Sequence, residues 1–195
     1  MHKVTAKNQI DELLCTGSHE FFGEFALYFA LMQLAQAKYQ VIWLEPQKAA
    51  DYLYPHALVN LGINLHKVNF VAYQNQHQAL WVIEEALRSG AVQYIIANGL
   101  KQPNLLQSKR LNMAAQKGKS KAFILLNGIS QNANSAMTRW QIDLADGQAN
   151  KYNIKLLRSR EKGFISGKEN WIMDIKNEKF YINLAPAFTA QQARA

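Results

Sequence analysis

The chain has 195 residues, 49% of them hydrophobic and 18% charged, enough for one substantial core and too few for two comfortable domains. A formal net charge of +8 favours a polyanionic partner, nucleic acid being the commonest. Cys15 is the only cysteine, which excludes an internal disulfide and a zinc site built from several thiolates; with no signal peptide and no apolar run of about 18 residues, the expectation is a cytoplasmic protein without a membrane partner.

Ile10 to Cys15 is a short apolar stretch closed by Thr16-Gly17 and is expected to form the first strand. It leads into Gly17-Ser18-His19-Glu20-Phe21-Phe22-Gly23-Glu24-Phe25, at the strand-to-helix position where nucleotide-binding folds carry a phosphate loop. A working loop needs Gly-x-x-x-x-Gly-Lys-Ser/Thr: backbone amides cradle the phosphates, the lysine neutralises them and the hydroxyl holds magnesium. With Gly23 as the second glycine, Ser18 stands at the first, Glu24 at the lysine and Phe25 at the hydroxyl. A carboxylate facing a triphosphate repels it, so the segment reads as a degenerate P-loop with no cofactor.

Phe22, Phe25, Ala26, Phe29, Ala30 and Gln33 recur at helical spacing and predict the first helix. Tyr39 to Leu44, closed by Glu45-Pro46, predicts a strand buried on both faces. A helix over Ala49 to Leu61 ended by Gly62, and a strand over Val68 to Ala72, follow. Ala79, Leu80, Ile83, Ala86 and Leu87 form a strong helical stripe capped by Gly90. Tyr94 to Ala97 predicts a strand, Asn104 to Gln116 a helix and Ala122 to Leu126 a strand. Helices alternating with apolar strands predict right-handed crossovers and a parallel sheet.

After Asn127, the segments Met137 to Leu144, Tyr152 to Ser159, Trp171 to Ile175 and Phe180 to Leu184 alternate apolar and polar residues, separated by Asp146-Gly147 and by Gly163 to Glu169. They predict an antiparallel extension along one edge of the sheet. The fold class is therefore α/β, with a mostly parallel sheet between helices and antiparallel carboxyl-terminal strands. One domain spans residues 1–185, and 186–195 form a flexible tail.

Several local sequences carry a resemblance: Glu12-Leu13-Leu14, Gly23-Glu24, Trp43-Leu44-Glu45-Pro46, Gly62 to Val68, Arg110 to Ala115 and, most tellingly, Gln78-Ala79-Leu80-Trp81-Val82-Ile83-Glu84-Glu85-Ala86-Leu87-Arg88-Ser89-Gly90-Ala91. In this order, from about Glu12 to Ile175, the chain resembles the RecA-like superfamily, specifically its ImuA branch, with the SulA cell-division inhibitors as neighbours. ImuA implies a three-layer RecA-like domain in an SOS-response protein of DNA repair. Such a protein acts with the polymerase-like ImuB and an error-prone DnaE-type polymerase in translesion synthesis after DNA damage, with RecA and DNA as further partners. SulA implies instead a protein that binds FtsZ and blocks its polymerisation. Similarity to SulA fades after Gln141, whereas Lys155 to Arg160 and Trp171 to Asp174 resemble the ImuA carboxyl-terminal region, so ImuA is favoured. RecA relatives stack on one another, so the resemblance leaves self-association open.

Two further nucleotide elements fail in this comparison. The strand Tyr94 to Ala97 ends in Asn98 where a Walker B strand places a carboxylate, and Leu126-Asn127-Gly128 stands where RecA has a glutamine that senses the γ-phosphate. No catalytic residue is assigned: Cys15 and His19 are close in sequence, but Cys15 reads as a small buried hydrophobe. The histidines lack metal-ligand spacing, and Glu84 is expected to pair with Arg88 at i, i+4. From Ala86 to Ile142 there is no Asp or Glu, while Arg88, Lys101, Lys109, Arg110, Lys117, Lys119, Lys121 and Arg139 all fall there. They are the nucleic-acid candidates, with Asn98 to Gln102 and a mobile Gly128 to Ala136 as the DNA-facing loops. An ordinary solvated basic face is the alternative, since few aromatics interleave. The candidate partner contacts are Leu44, Lys67, Trp81, Glu85 and Arg88, with Trp81 expected on the side of its helix opposite Leu80, Ile83 and Leu87.

Overall fold

Ile10, Leu13 and Leu14 recur at i, i+3 and i+4, the spacing of one helix face, and all three are buried on or just beyond helix α1 (Ala6–Leu13). This corrects the expected strand over Ile10 to Cys15. The first strand is β1 (Gly17–Phe22), the segment expected to be a loop. Its polar run Ser18-His19-Glu20 disguised it, because each of these side chains is buried against a partner distant in sequence. The computed structural model describes residues 6–48, 53–128, 132–145, 150–160, 170–176 and 179–184.

The remaining elements follow in order: α2 (Ala26–Ala35), β2 (Val41–Pro46), α3 (Pro55–Asn60), β3 (Val68–Tyr73), α4 (Gln76–Ser89), β4 (Tyr94–Leu100), α5 (Leu105–Gly118), β5 (Lys121–Leu126), β6 (Thr138–Leu144), β7 (Lys151–Ser159), β8 (Asn170–Lys176) and β9 (Lys179–Leu184). Phe22 closes β1 and does not open the helix. Of the helix expected over Ala49 to Leu61, residues 53–61 are described and only α3 is helical: Tyr54, before Pro55, is extended, which starts the helix late. Residues 49–52 lie outside the described residues, as do 129–131, 146–149, 161–169 and the tail from 185.

One sheet holds the nine strands in the order β3-β2-β4-β5-β1-β6-β7-β8-β9. The strands from β3 to β6 run parallel, with β1 between β5 and β6, where Phe21 is in register with both Leu125 and Trp140. β7, β8 and β9 continue antiparallel. Thr138–Leu144 is therefore a parallel strand on its β1 side, a correction to the expected antiparallel extension, which begins with β7. Long crossovers explain the parallel part: consecutive strands joined by a helix cannot make a tight hairpin.

Alternate residues of the parallel strands point to opposite faces. Phe21, Trp43, Phe123 and Trp140 pack with Phe29 and Met32 of α2 and with Ile10 of α1. Leu44, Ile95 and Ile124 face the other way, onto Ile83 and Leu87 of α4 and Leu111 of α5. Local signals start and stop these two helices. Asn75 accepts from the Gln78 amide (3.0 Å) and Gly90 ends α4 in the left-handed region (φ 67°). Asn104 and Gln107 form a reciprocal capping box at the start of α5. The helices meet closely at Gly118, where a Cβ would lie 1.8 Å from the Leu87 carbonyl oxygen, so only glycine fits.

Candidate functional site

Ligands of parallel sheets bind beyond the carboxyl ends of the strands, and the β1 end is closed by its own chain. The turn into α2 is the three residues Gly23, Glu24 and Phe25. Ser18 lies inside β1, so the eight-residue loop required to put it at a first glycine does not form. Gly23 has φ 104°, and a Cβ there would meet the Ile142 carbonyl oxygen at 2.2 Å. That carbonyl accepts the Phe25 amide at 3.3 Å. The Phe25 ring packs on Tyr152 and Tyr28, with ring centroids 4.8 and 5.8 Å away. Glu24 is exposed.

At the same edge of the sheet, beyond β5, the ends of β2 and β4 carry a carboxylate that the sequence did not single out. Glu45 accepts from the Trp43 indole (2.5 Å) and from the Asn98 amide (2.9 Å). The Tyr73 hydroxyl donates to the Asn98 carbonyl at 2.6 Å. Burial, and then the Glu45 charge, push the Tyr73 phenol up to about 12. Among the described residues no three His, Cys, Asp or Glu side chains come together as a metal site.

Two buried polar clusters hold β1 to β6 and to the segment before it. On one face, the Ser18 amide and hydroxyl donate to Asn112 Oδ1 (2.8 and 2.9 Å), Asn112 donates to the Ser135 carbonyl (2.5 Å), and the Ser135 amide donates to Ser108 Oγ (2.9 Å). Further along that face Glu20, 1% exposed, pairs with Arg139, 8% exposed: Arg139 Nε and Nη2 both lie 2.9 Å from Glu20 Oε2. Asn134 donates to the other Glu20 oxygen, and Gln102 donates to the Asn132 carbonyl at 3.0 Å. The described end of the expected mobile loop, Asn132 to Ala136, is thus anchored, with Asn134, Ser135 and Ala136 buried.

On the opposite face, both nitrogens of the buried His19 are engaged. Nε2 is 2.7 Å from the Cys15 carbonyl oxygen and Nδ1 is 2.7 Å from Thr138 Oγ1, which also accepts the Trp140 indole N–H. A carbonyl only accepts, so Nε2 carries the proton and Nδ1 accepts from Thr138. Burial, the largest cause, pushes the imidazole down to about 4; the nearby Lys121 lowers it further, while the Cys15 hydrogen bond opposes both.

The nucleic-acid candidates do not form one surface. Arg139 is consumed by Glu20. Lys101 follows the carboxyl end of β4, while Lys119 and Lys121 stand at the amino end of β5, a strand length of roughly 20 Å away. Lys121 is partly buried, which holds its ammonium below the usual range. Arg88, Lys109, Arg110 and Lys117 do gather on α4 and α5.

Of the partner candidates, Leu44 is fully buried against the α4–α5 layer and has no surface to offer; a contact role for it is withdrawn. Lys67 is partly buried beside the Ala37 carbonyl (3.3 Å), away from the others. Trp81, Glu85 and Arg88 fall together at i, i+4 and i+7 on the outer side of α4, with Trp81 58% exposed. Glu84 pairs with Arg88 as expected and, unforeseen, with Arg110 Nη2 across the helices at 2.8 Å; Arg88 Nη1 also reaches Glu85 at 2.6 Å. Glu84→Gln leaves two guanidiniums facing each other with a weakened acceptor. We expect a loss of about 1–2 kcal/mol, between surface and buried pairs, read as a lower urea midpoint at low salt that narrows in high salt.

No protein-family model matches this sequence, and no curated protein matches it. Among the described residues no helix is long and apolar enough to cross a membrane.

Proposed function

We propose that this chain is a non-catalytic accessory factor of error-prone translesion synthesis, of the ImuA type, on a RecA-like domain whose strand-to-helix turn is the remnant of a P-loop. The observation that carries the reading is that the segment with the strongest ImuA resemblance, Gln78 to Ala91, is the helix that exposes Trp81 beside Glu85 and Arg88. A large aromatic left in water on an ordered helix suits a contact anchor. Turn chemistry adds support: Gly23-Glu24-Phe25 offers neither lysine nor hydroxyl, and its Phe25 amide serves Ile142. The central β1, parallel core and antiparallel edge fit the RecA-like expectation. With Arg139 buried and Lys101, Lys119 and Lys121 apart from the cations of α4 and α5, protein partners are favoured over DNA.

The SulA-like alternative draws on Gly62 to Lys67 and on Ala86 to Gly90. It does not account for the antiparallel strands β7 to β9, which lie beyond that similarity. Affinity capture with an ImuB-type protein, run beside FtsZ sedimentation, separates the readings. We expect ImuB capture and unchanged FtsZ polymer; loss of polymer without ImuB capture overturns the ImuA reading.

A further inference from the structure

The two helices that cover one face of the sheet leave a furrow between them. It is a groove of about 90 Å³, bounded by Leu80 and Trp81 on α4 and by Gln107 and Leu111 on α5, with Glu84 and Arg110 across it. That is room for one apolar side chain. The flanks are apolar as well: Leu106 is 68% and Met113 73% exposed, two turns apart on the outer side of α5. Around them stand four cations, Arg88, Lys109, Arg110 and Lys117, against two carboxylates, Glu84 and Glu85, which are both held by the arginines. The face therefore sets apolar side chains on both helices about a groove bridged by the Glu84–Arg110 pair, within a net positive surround.

We propose that this face docks an acidic amphipathic helical segment of a partner protein, whose large apolar side chain fills the groove while its carboxylates meet Lys109, Lys117 and the arginines. Charge complementarity selects the acidic partner, and the spacing of Trp81, Leu106 and Met113 across two helices suits the apolar stripe of a third helix laid in the furrow. A nucleic acid fits less well. Leu106 and Met113, the most exposed apolar side chains of the face, give bases no ring on which to stack. The proposal rests on the reading that the chain works through contacts, and does not depend on which family supplies the partner.

The test is selection of displayed random peptides of about three to four helical turns, roughly 14 residues, on the full chain. Enriched peptides are then titrated onto wild type, Trp81→Ala, Lys109→Glu and the distant exposed control Lys38→Glu. We expect Asp or Glu at helical spacing beside Leu, Phe or Trp, and binding weakened about tenfold or more by Trp81→Ala and by Lys109→Glu, but not by Lys38→Glu. Trp43, Trp140 and Trp171 are buried, so acrylamide quenching reads Trp81, and bound peptide should shield it. Absence of enrichment, enriched peptides without acidic residues, or full binding by both variants overturns the proposal. So does a fluorescent single-stranded oligonucleotide that binds wild type and is lost in both variants. Peptides that bind both variants in full, beside ImuB capture that survives both substitutions, remove this face and leave the proposed function standing. Failure of wild type to capture it removes that function and leaves the peptide result to judge the face.

Discussion

Arg139→Ala should destabilise the fold by about 3–5 kcal/mol, the range for breaking a buried ion pair by removing one partner. The truncation leaves the Glu20 carboxylate, 1% exposed, with amide donors and no cation, in the middle of the sheet. It also removes the hydrogen bond from Arg139 Nη2 to the Asn132 carbonyl (3.1 Å), one of the ties on the segment between β5 and β6. Urea unfolding of Arg139→Ala and of the double variant Glu20→Met/Arg139→Met separates charge from packing. The double variant should be less destabilised than the sum of its singles, because an apolar pair leaves no charge stranded. Additive losses would show that the two side chains are not coupled.

Acid should weaken the protein through His19 in a definite window. Its folded imidazole sits at about 4 against an ordinary 6.5, so between these values the unfolded chain binds the extra proton. Stability therefore rises with pH across the window. The contribution is intact above about pH 6.5 and is lost as pH falls, by about 2 kcal/mol at pH 5 and about 3 at pH 4. Protonation also puts a second N–H toward Thr138 Oγ1, which already accepts the Trp140 indole. Urea midpoints measured from pH 7.5 to 4 on wild type and His19→Gln test this. The variant should be less stable at neutral pH and show a flatter acid limb; parallel curves would mean that His19 is not the group responsible.

Local sequence made most of the architecture legible. The stripe Ala79 to Leu87 with Gly90 behind it, and the Asn104/Gln107 box, write α4 and α5 into windows of a few residues, and the apolar runs of β2, β4 and β5 mark strands covered on both faces. What escaped was settled at long range. Ser18 and Glu20 are tolerable inside β1 only because Asn112 and Arg139 arrive from 94 and 119 positions away. Without those partners the central strand reads as a polar loop, and the helix spacing of Ile10, Leu13 and Leu14 reads as the strand in front of it. Arg139 counted as a free cation for the same reason.

The candidate face was half legible. Trp81, Glu85 and Arg88 share one helix, and their spacing alone sets them side by side. Its other half, Leu106, Lys109 and Met113, belongs to α5, and what brings the helices together is the close approach at Gly118 and the reach of Glu84 to Arg110. Leu44 shows the converse. Its strand looks the same in sequence whether one face is open or covered, and the α4–α5 layer covers it.

We propose that this chain works by contact and not by nucleotide turnover. The most direct test of this is titration of the purified chain into a purified ImuB-type protein by calorimetry, with and without magnesium ATP. We expect a stoichiometric complex whose affinity is the same in both conditions, with no phosphate released. Failure to form the complex, or a complex that depends on hydrolysable ATP, would contradict it.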